Sequence, residues 1–244
     1  MAMTEKKKTA GVLSANEIAT GCKMAMRGGG CQWGMAEEAG YAAEWLARRG
    51  LFVPAAFAEV VKNRPKLSPP HSVAKLSPRP GCDAQCPVCL GAFLSDNAAS
   101  LADGRQLLLR KVASPLLVAA CLPMAARALK TALLLSWRGG GIVLLPSNIK
   151  GGIKGEKAKD GAAVYGKVHN AFAPLAKLQT INAKELAQIA KANRTTWQIT
   201  NTPSQIPAGD NDWRRLMQRA KKTMVAPSKT STIKGAGAGL TDND

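Results

Sequence analysis

The residues whose types and spacing best suit chemistry lie between positions 27 and 40, where Arg27-Gly28-Gly29-Gly30-Cys31-Gln32-Trp33-Gly34 runs into Met35-Ala36-Glu37-Glu38-Ala39-Gly40. An arginine binds a carboxylate or phosphate through its planar fork. Gly28, Gly29 and Gly30 would let such a group approach the backbone, and Glu37, Glu38 and the later Asp96 are candidates to handle protons. Trp33, Ser95 and Ser114, with the aspartates Asp242 and Asp244 near the C-terminus, complete a candidate binding set for a small anionic metabolite. A simpler reading competes evenly with this one: two glutamates early in a helix complement the positive end of its dipole. Dipole chemistry does not account for the arginine, the glycine run or Trp33-Gly34.

A second candidate is Cys82-Asp83-Ala84-Gln85-Cys86-Pro87-Val88-Cys89. Three thiolates at Cys-x3-Cys-x2-Cys spacing can hold three irons of an iron-sulfur cluster and leave the fourth open. The spacing resembles the signature of radical enzymes that use S-adenosylmethionine. The context departs from it, because no aromatic precedes Cys89 and no Gly-Gly-Glu follows. A zinc site on Cys82, Cys86 and Cys89 needs a fourth ligand, for which His71 is nearest. Against both cofactors stands the reading of these cysteines as part of a loop leading into the core. Cys22 and Cys121 fall on apolar stretches and read as core.

Charge bounds the partners. Lys and Arg number 34 against 16 acidic residues, a net +18, which makes nucleic acid a partner to consider. Arg214, Arg215, Arg219, Lys221 and Lys222 cluster on the last helical stretch. Aromatic platforms for stacking are scarce at 5% of the chain, so the expected binding is non-specific. The charged N-terminus lacks an apolar segment, and the apolar stretch 112–137 is interrupted by Pro123, Arg127 and Lys130. The expectation is a cytoplasmic protein with no membrane partner. A homo-oligomer is an open alternative.

These residues need elements to position them. Ser14-Ala15-Asn16-Glu17 is a capping box that opens a helix to about Met26. Met35, Ala39, Ala42 and Leu46 trace a second helix ending before Gly50. Prolines 65, 69, 70, 78 and 80 make 62–80 an extended surface insertion. Leu107–Arg110 reads as a strand, 116–130 as a helix, and 133–145 as a hairpin turning at Arg138-Gly139-Gly140-Gly141. Tyr165, Lys167 and His169 alternate as the polar face of another strand, and a second capping box, Asn182 to Glu185, starts a helix to about Asn193. Trp197 and Ile199 read as a half-buried strand, and 212–224 as a final basic helix. The chain reads as a single domain over 1–244 with a basic tail 1–12, a Gly/Lys-rich loop 150–161 and a Gly-rich tail 227–244. The fold class is α+β: an N-terminal helical hairpin with further helices on a mostly antiparallel sheet.

Several blocks together resemble an uncharacterised bacterial protein family, a domain of unknown function. They are Asn16-Glu17, Arg27–Gly30 with Trp33-Gly34 and Ala36–Ala39, Gly91-Ala92 with Leu94–Asp96, Ala113–Leu116, and the Gly-Ala-Gly-Ala-Gly-Leu-Thr-Asp-Asn-Asp end. The resemblance implies a soluble bacterial protein and brings no reaction with it.

Overall fold

The computed structural model describes residues 11–102, 104–146, 161–169 and 172–223. Asp242, Asp244 and the Gly-rich tail lie outside them, as does almost all of the N-terminal tail and the Gly/Lys-rich loop.

Ser14 caps α1 (Ala15–Gly28): its Oγ accepts from the Glu17 N–H at 3.2 Å, and Glu17 Oε2 accepts from the Ser14 N–H at 2.8 Å. Ile18, Cys22, Ala25 and Met26 bury one stripe against α2 (Trp33–Ala47), which turns back along α1. α3 (Pro54–Asn63) and α8 (Asn211–Ala220) complete this helical layer, with Phe52, Phe57 and Trp213 meeting between them. The short helices α4 (Pro87–Asp96), α5 (Pro115–Ala120) and α6 (Pro123–Leu129) follow, α4 and α5 packing on α2.

Among the described residues, eight strands form one sheet in the order β1-β2-β3-β7-β4-β5-β6-β8. They are β1 (Leu67–Ser68), β2 (Ala84–Gln85), β3 (Leu107–Val112), β4 (Ala132–Trp137), β5 (Gly140–Leu144), β6 (Ala162–Gly166), β7 (Ala173–Ile181) and β8 (Gln198–Thr200). β1, β2 and β3 pair in parallel, and every other neighbouring pair is antiparallel. Side-chain alternation along β4 divides the core: Leu133 and Leu135 face the helical layer, while Ala132 and Leu134 face α7 (Ala183–Ala192). α7 carries the second capping box, with Asn182 Oδ1 accepting from the Glu185 N–H at 2.9 Å. The fold is α+β, as its sequence predicts.

Four local expectations change. The stretch 62–80 is not a detached insertion: Leu67, Ser68 and Leu76 are buried, and β1 joins the sheet edge. The helix expected over 116–130 is two, because Pro123 cannot continue the ladder begun by α5. In the β4–β5 hairpin only Arg138 and Gly139 turn, and Gly140 and Gly141 are already strand. Tyr165, Lys167 and His169 do not share a strand face, since β6 ends at Gly166 and Tyr165 stacks on Trp197 with ring centroids 6.3 Å apart.

A thiol pair at the start of the fourth helix

The parallel edge β1–β2 delivers Cys86 to a strand-to-helix turn. Cys86 N–H donates to the Ser68 carbonyl at 2.7 Å, and buried Gln85 donates its Nε2 to the carbonyls of Leu76 (3.1 Å) and Arg110 (2.8 Å). Cys86 is the N-cap of α4, with Pro87 at the first helical position, where its missing N–H costs nothing. Cys89 stands three residues on, in the first turn, so the two side chains share one face of the helix start and each thiol acts on the ionisation of the other.

Two further groups close around this pair. Arg64, just past the end of α3, acts electrostatically on Cys31, Cys86 and Cys89, and its Nε is buried without a hydrogen-bond partner among the described residues. Cys31 is fully buried in the α1–α2 turn. Both groups come from segments distant in sequence, and their signal was faint: a cysteine inside the glycine block and an arginine before Pro65.

The pair holds one proton between its two sulfurs. The first ionisation, assigned to Cys86, is drawn down to about 6 by the Cys89 thiol, against the opposing effect of burial. The Cys89 N–H, the Arg64 guanidinium and the Val88 N–H add to the lowering, the amides acting as oriented dipoles at the helix start rather than as a close cap hydrogen bond. The Cys89 thiol moves far up, because it donates to Cys86, is desolvated, and would put a second negative charge beside the first. Cys31 and Cys121 are also raised, chiefly by burial.

A stability profile follows from these directions. An unfolded cysteine ionises near 9, so between about 6 and 9 the unfolded chain holds a proton that folded Cys86 has lost, and stability rises with pH. Above 9 the unfolded chain loses protons that Cys89, Cys31 and Cys121 retain, and stability falls. Denaturation midpoints across pH 5–10 should therefore peak near 9, and Cys86→Ser should remove the rising limb.

The residues singled out by sequence occupy several surroundings. Arg27 Nη1 donates to the Cys31 carbonyl at 2.9 Å, and its guanidinium lies 5.3 Å from the Trp33 ring centroid. The Gly29 and Gly30 amides donate to α1's own carbonyls, Ala25 and Met26 for Gly29 and Arg27 for Gly30. Gly28 lies against the Arg219 backbone, where a Cβ would overlap its carbonyl. Glu37 lines a cleft of about 120 Å³ between α1 and α2 with Asn16, Thr20, Lys23, Tyr41 and Glu44. Glu38, half-buried, acts electrostatically on Cys121. Ser95 and exposed Asp96 close α4, and buried Ser114 caps α5 beside His169 in a small apolar pocket. Cys82 sits in the turn before β2, and His71 is exposed. Among the described residues no group of three or more His, Cys, Asp or Glu side chains is placed to hold a metal ion. Arg214, Arg215, Arg219, Lys221 and Lys222 are exposed around the end of α8, with Arg215 paired to Asp212 at 3.2 Å. No helix among the described residues is long and apolar enough to cross a membrane.

The fold and the thiol pair define an α+β protein with a cysteine couple at a strand-to-helix turn. Residues 13–89 match the family model described as Protein of unknown function (DUF3726), a likeness that covers this N-terminal stretch of the chain. The matched stretch contains Arg27, Cys31, Glu37, Glu38, Arg64, Cys86 and Cys89. No curated protein and no solved structure matches the chain.

Proposed function

We propose that the protein acts through thiol chemistry, with the Cys86–Cys89 pair as its reactive group toward a small molecule. The observation that carries this is the placement of the two cysteines on one face of the first turn, at the open end of α4, with the Arg64 charge acting on both. Arg64 favours a negative charge on the pair, and the helix start favours it further. At neutral pH the couple then holds one thiolate ready to accept a proton or attack an electrophile. The test is labelling by iodoacetamide as a function of pH, mapped by peptide mass spectrometry, with Cys82 as a reference outside the cluster. Cys89 should label along a curve set well below that of Cys82, and Arg64→Met should move the Cys89 curve up without moving that of Cys82. Superimposable curves in both proteins would remove the proposal.

A second reading, a binding site for a small anionic metabolite, has a narrower basis. Arg27 is engaged by the Cys31 carbonyl and Trp33, so the polar cleft containing Lys23 and Glu37 is the place that supports it. A metabolite screen by thermal shift should then give a hit whose shift disappears in Lys23→Ala and persists in Arg27→Ala. Equal loss in both variants, or in neither, would count against the cleft.

A further inference from the structure

This inference rests on the thiol-pair reading and assigns its substrate class and the order of its steps. The two cysteines differ in access. Cys86 is 1% exposed, held beneath the β1–β2 edge, whereas Cys89 is only partly buried on the first turn of α4. Cys31 is fully buried, so a dissolved reagent does not reach it. The thiol nearest the charge-stabilising groups is therefore not the thiol a reagent meets first.

We propose that Cys89 is the entry thiol of a reversible dithiol–disulfide centre for low-molecular-weight disulfides, and that Cys86 serves first as its base and then as the resolving thiol. In the first step Cys89 Sγ attacks one sulfur of the substrate disulfide and passes its proton to the Cys86 thiolate. The substrate S–S bond breaks, one substrate thiolate leaves, and a mixed disulfide remains on Cys89. In the second step Cys86 gives up that proton to the departed thiolate and attacks Cys89 Sγ, and the second substrate thiolate leaves. One disulfide is reduced to one thiol and one thiolate, the proton coming from Cys89 and the negative charge from Cys86, and the Cys86–Cys89 pair is oxidised to a disulfide, so electrons, protons and charge balance. Arg64 supports the charge on Cys86 before the first step and again when Cys86 gives up its proton in the second. The net charge of +18 favours encounter with anionic disulfides over neutral ones.

The test uses the full chain, reduced and then incubated with oxidised glutathione, quenched in acid and mapped by mass spectrometry. Wild type should lose two hydrogens through a Cys86–Cys89 disulfide and keep no glutathione on either residue. Cys86→Ser and Cys86→Ala, both checked for native circular dichroism, should hold glutathione on Cys89. Cys89→Ser should hold none on Cys86. A glutathione adduct on Cys86 in Cys89→Ser would overturn the assigned order, and a wild type with neither disulfide nor adduct at these positions would overturn the centre itself. The thiolate absorbance of the reduced wild type at neutral pH separates the two proposals. A thiolate without the disulfide sinks only this inference, while no thiolate sinks the pair reading beneath it.

Discussion

Gly28→Ala is expected to destabilise the protein by about 3 kcal/mol, the upper end of the cost of forcing extra volume into a packed site. The reason lies in what the new methyl would meet. At Gly28 the Cβ position overlaps the backbone carbonyl of Arg219 on α8, and a carbonyl on a helix has no rotamer by which to yield. Relief requires α8 to move off α1, which would unseat Trp213 and Leu216 from the core. For a chain of this size the melting midpoint should fall by roughly 6–12 °C. Gly34→Ala is the control within the same block, since nothing lies within 4 Å of its Cβ position and the residue is helical. It should leave the midpoint unchanged or raise it. Equal behaviour of the two variants would mean that α1 and α8 do not pack as described.

Phe57→Ala is expected to cost about 3–5 kcal/mol, the range for truncating a buried phenylalanine. Phe57 is 2% exposed and its ring centroid lies 5.9 Å from that of Phe52, which in turn meets Trp213 edge-on at 6.5 Å. The effect should reach the thiol pair as well. α3 runs from Pro54 to Asn63, with Phe57 on its buried face, and Arg64 follows directly at its end. Loosening α3 should weaken the hold of Arg64 on the pair, so the variant should combine a lower denaturation midpoint with an upward move of the Cys89 labelling curve. A loss of stability with no change in labelling would show that Arg64 is fixed by Pro65 and β1 rather than by α3.

Much of the helical framework was legible because it is written in local chemistry. Ser14 with Glu17 and Asn182 with Glu185 form capping boxes that depend only on residues three apart, and both form as written. The central strand β7 was not legible. It carries Pro174 and Lys177, and it owes its place to pairing with β3 on one side and β4 on the other, contacts remote in sequence. The proline-rich stretch misled for the opposite reason. Its composition describes an extended chain, and only the pairing of Leu67 with Ala84 and Ser68 with Gln85 turns that extension into a sheet edge that holds Cys86.

The candidate site divides along the same line. Cys86 and Cys89 were visible as a spacing, and Pro87 between them is the ordinary first residue of a helix, so an N-cap cysteine was there to be read. Cys31 and Arg64 were not, because nothing local links the α1–α2 turn to the end of α3. Arg27 and the glycine run drew attention as a ligand site. In the structure the arginine closes its own turn onto Cys31 and Trp33, while the glycines admit α8 and let the chain reverse, Gly30 with φ +86°.

The measurement that bears most directly on the thiol pair is the ultraviolet thiolate absorbance of the full chain titrated with pH, in wild type and in Cys86→Ser. The pair predicts one thiolate appearing in wild type around pH 6 and absent from the variant until the usual thiol range. A wild type that forms no thiolate below that range, or a variant that titrates identically, would contradict it.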